Sequence, residues 1–324
     1  LTLKENALDT PEMAATRDGF GTGLVQAAEE DPRVVALSAD LTESTRVEPF
    51  KKKFPDRFVE IGVAEQNMAT VAAGMANYGK IPFITSYAAF SPGRNWEQIR
   101  TTIALNEMPV IVCGMHAGVS VGPDGATHQM LEDMALMRAM PNMIVISPCD
   151  SVEGHKATLA AAKAGKPVYM RFGREKTPIM TTPETPFTIG KANVMWMSET
   201  PVVAIFATGP LLHNALLAAR DLKNDGVHVS VTNVHTIKPL DHDTILAEAE
   251  KAGAVVTVEE HQIHGGFGSA ISEYLSQVHP VPMEFIGMHD EYGQSGEPKQ
   301  LIEHYSMGIS HIKLAVQKVI SRKK

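Results

Sequence analysis

Two cysteines in 324 residues are too few for a disulfide framework. Cys113 and Cys149 both sit in apolar, strand-like runs, so a reducing, cytoplasmic setting is expected. Long hydrophobic runs are missing as well. The longest, 108–115 and 201–207, fall far short of the roughly 18 residues a spanning helix needs. Lys4, Glu5 and Asp9 stand where a signal peptide would be apolar, so no membrane is expected. Positive charge is scarce too: 29 Lys and Arg face 37 Asp and Glu, for a net charge of −8. That balance argues against nucleic acid as a partner and means that any anionic ligand must be met by a local cationic pocket. Neither a low-complexity tract nor a solenoid-period repeat is present. With 44% hydrophobic residues, the chain has the length of about two domains at roughly 150 residues each.

What the chain does have is alternation. Short runs rich in Val and Ile at 33–38, 58–62, 81–85, 109–115, 143–147 and 167–172 read as buried strands separated by segments of helical period. Ser91 followed by Pro92 predicts an N-cap and first-turn proline for a helix reaching about residue 107. Asp150 with Glu153 predicts a capping box for a helix ending before Gly165. Between 173 and 190, Pro178, Pro183 and Pro186 in a Thr-rich stretch mark a break that should hold neither strand nor helix. Alternation resumes with strands at 201–207, 227–232, 254–259 and 283–287, a helix over 266–277, and two closing helices around Leu301 and Leu314. The expected fold class is α/β, two doubly wound domains with mostly parallel sheets. The expected division is an N-terminal extension over 1–15, a first domain over 16–175, a linker over 176–190 and a second domain over 191–324.

Several segments carry residues suited to chemistry. Glu65 falls in the first turn of an apolar helix running through Ala69, Val71, Ala72 and Met75; the helix dipole alone would favour a carboxylate there. His116, Asp124 and His128 lie on a glycine-spaced loop that leaves a buried strand and feeds a helix over 130–140. Ligands of open α/β sheets bind at such strand ends, and histidine exchanges protons near neutral pH. A solvated turn would use Asp and Gly equally well. The run Gly122-Pro-Asp-Gly125 superficially resembles a diphosphate-binding signature, but proline precedes the aspartate. The segment from His264 to Gly268 lacks the third glycine of a dinucleotide fingerprint. Glu259, Glu260, His261 and His264 lack cysteine partners and read as structural or solvated rather than metal-binding.

In chain order, Leu37-Ser-Ala-Asp40-Leu, Gly62-Val-Ala-Glu65-Gln-Asn-Met, Gly122-Pro-Asp-Gly-Ala-Thr-His128-Gln, Arg171-Phe-Gly-Arg174, the run from Glu259 to Gly268, and Asp290-Glu-Tyr-Gly-Gln-Ser-Gly-Glu-Pro resemble the C-terminal half of a transketolase over nearly the whole chain. The resemblance makes the first domain a pyrimidine-binding domain and the second a transketolase C-terminal domain. It implies thiamine diphosphate as cofactor, with Mg2+ or Ca2+ held by a separate N-terminal subunit carrying the diphosphate-binding domain. Two copies of each chain would form a heterotetramer, and this chain alone would be inactive. It also implies that Glu65 hydrogen-bonds the cofactor's aminopyrimidine, and that Tyr87 and Phe90 pack around that ring. Asp40 would lie beside the cofactor, and His128 and His116 would serve near the reacting carbonyl. For a sugar phosphate it implies Arg17, Ser44, His116 and Arg174 at the phosphate, with Asp124 beside them, and Arg174 rather than Arg171 in register for that role. Tyr87 replaces the usual phenylalanine, and Gly93 falls where some members carry a third aromatic. The expected reaction moves a two-carbon ketol unit from a ketose phosphate to an aldose phosphate. Rival readings are a deoxyxylulose phosphate synthase fragment, which resembles Asp-Arg where this chain has Met115-His116, the beta subunit of a 2-oxo acid dehydrogenase, or a non-catalytic assembly subunit.

Overall fold

The computed structural model describes residues 3–323; residues 1, 2 and 324, at the two ends of the expected extension and second domain, lie outside them. The first half contains β1 (Met13–Ala15), α1 (Thr16–Glu30), β2 (Val34–Ser38), α2 (Glu48–Lys53), β3 (Phe58–Glu60), α3 (Glu65–Asn77), β4 (Ile81–Tyr87) and α4 (Trp96–Gln98), which continues as a π-helical turn over Ile99–Ala104. It goes on with β5 (Ile111–Met115), α5 (Asp133–Arg138), β6 (Ile144–Ile146), α6 (Ser151–Lys163), β7 (Val168–Arg171) and β8 (Lys176–Pro178). The second half contains β9 (Asn193–Met197), β10 (Val203–Ala207), α7 (Leu212–Asn224), β11 (Val229–Asn233), β12 (Thr236–Lys238), α8 (His242–Ala252), β13 (Val255–Gln262), α9 (Phe267–Val278), β14 (Met283–Met288), α10 (Pro298–His304) and α11 (Ile309–Ser321).

Two mostly parallel sheets with helices packed on them are the α/β architecture expected. The larger has the order β12-β6-β7-β5-β4-β2-β3 and the smaller β14-β13-β10-β11-β9. Their central strands are buried throughout, Val34–Ser38, Ile111–Met115 and Val203–Ala207 among them. This is why they read as continuous apolar runs rather than as alternations.

Three strands depart from the expected pattern. β9 and β12 are antiparallel edge strands, and β12 comes from the second half yet pairs with β6, setting Thr236 opposite Ile146 and Lys238 opposite Val145. A three-residue strand recruited by a distant partner leaves no local period to read. The stretch expected to hold neither strand nor helix opens with β8, which pairs antiparallel with β1 in the expected N-terminal extension. A two-stranded ribbon consists of edges alone, so Pro178 is tolerated there.

Two capping expectations also change. Residues 88–95 form successive turns, and the helix starts at Trp96 rather than Pro92. Ser91 Oγ accepts from Asn95 Nδ2 at 3.2 Å, while the same amide donates to the Glu65 carbonyl at 3.0 Å. Tertiary bonds to α3 therefore shape this segment. Asp150 caps α6 by accepting from Glu153 N at 2.8 Å. Glu153 does not close the box on Asp150 N; it reaches past it to Cys149 N at 2.7 Å.

One apolar core runs through both halves, joining Leu37, Ile84, Val112 and Val145 to Phe206, Val234, Ile237 and Phe267. A second packs Phe20, Leu24, Phe83 and Phe172 beneath α1 and α6. These helices approach closely because α1 is glycine-rich on the facing side: a Cβ on Gly19 would stand 1.8 Å from the Ser151 carbonyl oxygen. Among the described residues no helix is long and apolar enough to cross a membrane.

Candidate active site

Most of the residues singled out in the sequence lie just beyond the carboxyl ends of parallel strands, where open sheets leave room for ligands. Asp40 and Ser44 follow β2, Tyr87 and Phe90 close and follow β4, His116 and Asp124 follow β5, and Arg174 follows β7. Arg17 opens α1 and Glu65 opens α3. Arg17, Asp40, Ser44, Tyr87, His116, Asp124 and Arg174 line one cavity of about 550 Å³.

Hydrogen bonding fixes the chemistry of that cavity. Arg17 Nη1 donates to the Ser44 carbonyl at 2.7 Å and to His116 Nε2 at 2.6 Å. A guanidinium only donates, so Nε2 accepts, and a neutral ring then carries its proton on Nδ1. The ring is neutral because burial first, then Arg17, Arg174 and Arg46, hold its pKa down to about 3. His116 Nδ1 and Arg17 Nε are buried without a partner among the described residues. Two buried N–H donors of this kind are costly unless a ligand oxygen meets them. Burial, followed by Arg46, also lowers the Arg17 pKa. Arg174 donates to the Val121 carbonyl at 3.1 Å and lies 3.6 Å from Asp124.

An aromatic strip leads away from the cavity. Tyr87 stacks on His116 with centroids 4.1 Å apart, and its hydroxyl is 2.8 Å from Ser44 Oγ. Phe90 lies 6.1 Å beyond Tyr87, and His128 meets the edges of both rings, at 5.4 Å from Phe90. His128 Nδ1 is 2.8 Å from Thr127 Oγ1, which leaves Nε2 for other partners. The strip ends at Glu65, whose carboxylate is 1% exposed. Glu65 Oε1 accepts from Ser86 Oγ at 3.2 Å and Oε2 from Arg94 Nη1 at 2.5 Å. The Arg94 guanidinium lies 4.6 Å over the Phe90 ring. Arg94 thus bridges the buried carboxylate to the Phe90 ring, and Phe90 and Tyr87 lead on to the arginine-lined cavity. This arrangement can hold a planar, proton-sharing heterocycle at one end and an anion at the other.

Glu65, Phe90 and His128 lie outside the cavity itself and join it only through this strip. Asp40, in a left-handed conformation with φ 57°, is held by its backbone N–H on Glu60 Oε1 at 2.8 Å. Arg171 is buried away from the site, bonded to Asp133 at 2.8 Å and to the Glu260 carbonyl at 2.7 Å. Glu259 accepts from the N–H groups of Phe267 and Gly268, capping α9. His261 bonds the Gln262 carbonyl, and Glu260 accepts from Ser120 N. Reading the sequence missed Arg46, which lines the cavity, and Arg94. Arg46 stands two residues after Ser44, a nearness that could have drawn attention to it; Arg94 gives no local signal.

Comparison with known proteins gives the same frame. The family description "Transketolase, pyrimidine binding domain" matches residues 12–180 and "Transketolase, C-terminal domain" matches 190–312. The chain is 40% identical to a putative transketolase C-terminal section of Methanocaldococcus jannaschii, over 90% of this chain and 92% of that protein. It is 38% identical to the 6-deoxy-6-sulfo-D-fructose transketolase subunit SqwH of a Clostridium species, over 95% of each. Human transketolase is 35% identical over 95% of this chain but only 49% of its own length. A solved structure described as a split gene transketolase, inactive beta4 tetramer, superimposes with a TM-score of 0.89 at 39% identity, covering 96% of this chain and 99% of that one. The chain belongs to the transketolase family, whose domains imply dependence on thiamine diphosphate.

Proposed function

We propose that this chain is the pyrimidine-side subunit of a two-chain transketolase, moving a two-carbon ketol unit from a ketose phosphate to an aldose phosphate. The observation that carries this reading is the buried Glu65 carboxylate, linked through Arg94 to the Phe90 and Tyr87 rings and by them to the arginine-lined cavity. The residues fit the cofactor: Glu65 offers a carboxylate shielded from water for a ring nitrogen, with aromatic faces beside it. When bound, thiamine diphosphate supplies the electron sink for carbon–carbon cleavage.

This chain's own part is to bind, orient and move protons. Glu65 would share a proton with the pyrimidine, Tyr87 and Phe90 would pack against it, and Asp40 would lie beside it. His128, through Nε2, and His116, through its unpartnered Nδ1–H, are suited to the oxygen at the reacting carbon. Arg17, Ser44 and Arg174 would take the sugar's phosphate, with Asp124 next to Arg174. The diphosphate and its Mg2+ or Ca2+ would be held by a partner subunit, in a heterotetramer with two copies of each chain in the cytoplasm. The relatives named as split sections and subunits support a partner, and the neighbour named as an inactive tetramer supports silence without one. His116 favours this reading over the deoxyxylulose phosphate synthase one.

The test uses the purified chain as bait. The captured partner should carry a diphosphate-binding domain, and ketol transfer from xylulose 5-phosphate to ribose 5-phosphate should require both chains and thiamine diphosphate. A partner without that activity would point to another donor, and no such partner would favour the non-catalytic reading.

A further inference from the structure

Arg46 has no part in the function just proposed, yet it lines the same cavity as Arg17 and Arg174. Three features set it apart. Its backbone is left-handed, with φ 66°, a conformation that is uncommon and costly for a residue with a long side chain. α1 makes room for it: a Cβ on Gly21 would stand 2.9 Å from the Arg46 carbonyl oxygen and 3.0 Å from its Cβ. Its side chain is held by one bond, Nε to Asp18 Oδ1 at 2.6 Å, and makes no other hydrogen bond among the described residues. Asp18 is itself tied to the start of α1, accepting from Ala15 N at 3.2 Å. Loop and helix together therefore fix a guanidinium at the cavity wall and leave its terminal nitrogens unengaged.

The charges around it decide what it selects. The three arginines of the wall are matched by three carboxylates, Asp40, Glu43 and Asp124, so the cavity has no surplus of positive charge to attract any anion indiscriminately. Arg46 already faces Asp18 and Arg174 faces Asp124. Arg17 is the exception, since its contacts are a carbonyl and a neutral imidazole. A monoanion satisfies Arg17 and has no charge left for a second guanidinium. A dianion keeps a second charge, so it can engage Arg17 and still compete with a carboxylate for another guanidinium.

Building on the phosphate end of the proposed site, we infer that Arg46 is a specificity-determining residue. It supplies a further guanidinium that makes the cavity prefer a dianionic phosphate ester over a monoanionic end group such as a sulfonate.

The experiment titrates the isolated full chain at low ionic strength and pH 8 with inorganic phosphate and, separately, with methanesulfonate. Arg46→Asn is the main variant because asparagine tolerates the left-handed backbone. Arg46→Lys keeps the charge without the fork, and a melting curve without ligand checks the fold of each. The expected result is a roughly tenfold weaker phosphate affinity in Arg46→Asn, an intermediate value in Arg46→Lys, and methanesulfonate binding unchanged. Equal phosphate affinity in wild type and Arg46→Asn would overturn the inference, as would an equal loss for both anions. Arg17→Met separates the two claims. If it alone weakens phosphate, the phosphate seat stands and the role of Arg46 falls; if neither variant weakens phosphate, both fall.

Discussion

Glu65 is almost wholly buried, yet the cation that compensates it, Arg94, has 44% of its side chain exposed. A pair placed this way is anchored on one side only. Arg94→Met leaves Ser86 as the carboxylate's side-chain donor and should cost about 1–2 kcal/mol. That is less than the ~1.5–3 typical of bonds to charged groups, because solvent already screens the arginine. Urea midpoints would measure it, and no loss would mean that water replaces Arg94 freely. Glu65→Gln is the complementary change. The amide oxygen can still accept from Ser86 or Arg94, so circular dichroism and melting should stay near wild type. Turnover of the assembled enzyme should fall by roughly 10²–10⁴, the range for a lost proton-transfer group; near wild-type turnover would remove Glu65 from the chemistry. His116 behaves differently. With its pKa held down to about 3, its ring stays neutral and keeps Nδ1–H as a donor from pH 5 to 8. Its imidazole NMR signals should not titrate over that range, whereas an inflection near 6.5 would show the ring to be open to solvent.

Elements carry the site by how closely they pack, and two glycines show this in opposite directions. Replacing a mid-helix glycine by alanine ordinarily stabilises by about 0.5–1 kcal/mol. Gly74 in α3 has nothing within 4 Å of a built Cβ, so Gly74→Ala should show that gain. Gly19 in α1 would place its Cβ 1.8 Å from a backbone oxygen of α6. The helices must then separate, and overpacking of about 1–3 kcal/mol or more outweighs the propensity gain. Gly19→Ala should therefore melt lower than wild type and weaken phosphate binding, since Arg17 rides on the same helix. Melting the two variants side by side tests the argument, and a stabilised Gly19→Ala would refute the close approach. The same elements show what could be read in advance. The buried parallel strands are legible because burial on both faces leaves an unbroken apolar run, whereas Glu65 is singled out by the family resemblance of Gly62-Val-Ala-Glu65-Gln-Asn-Met, since the helix dipole alone would favour a carboxylate at that helix start. β12 and Arg94 are not legible: one exists only because β6 offers an edge, the other only because the turns of 88–95 fold over α3. Arg46 was hidden for a related reason, since its left-handed backbone depends on Gly21 in a different element.

At the scale of the whole molecule, the two halves share a sheet, a core and a buried polar link, so they should respond to pH as one unit. The link is Glu153, whose Oε2 accepts from Cys149 N at 2.7 Å in the first half and whose Oε1 accepts from Asn233 Nδ2 at 2.8 Å in the second. Burial, and then Asp150, push its pKa up to about 7; burial does the same to Glu259 at the start of α9. A carboxyl with a raised folded pKa holds its proton longer in the native state. Its contribution is therefore full below about 4.5, the unfolded value, and is lost as pH rises towards 7. Buried histidines act in the opposite sense. His116, held to about 3, and His235 and His261, held to about 4, take up protons on unfolding at any pH below about 6.5, so they make stability rise with pH across 4.5–6.5. His155 and His213 are shifted down in the same sense and Glu260 is shifted up with the other two carboxyls, so five histidines act against three carboxyls and stability should rise with pH on the acid side. Above 6.5 only the carboxyls still act. Urea midpoints measured from pH 4.5 to 8 should climb to a maximum near 6.5 and then dip slightly, in a single transition by every probe. Glu153→Gln removes one opposing proton, so its acid limb should be steeper and its dip shallower. An unchanged profile in that variant would mean that the carboxyl linking the halves is already ionised in the fold. Two separate transitions would mean that the shared sheet does not bind the halves into one cooperative unit.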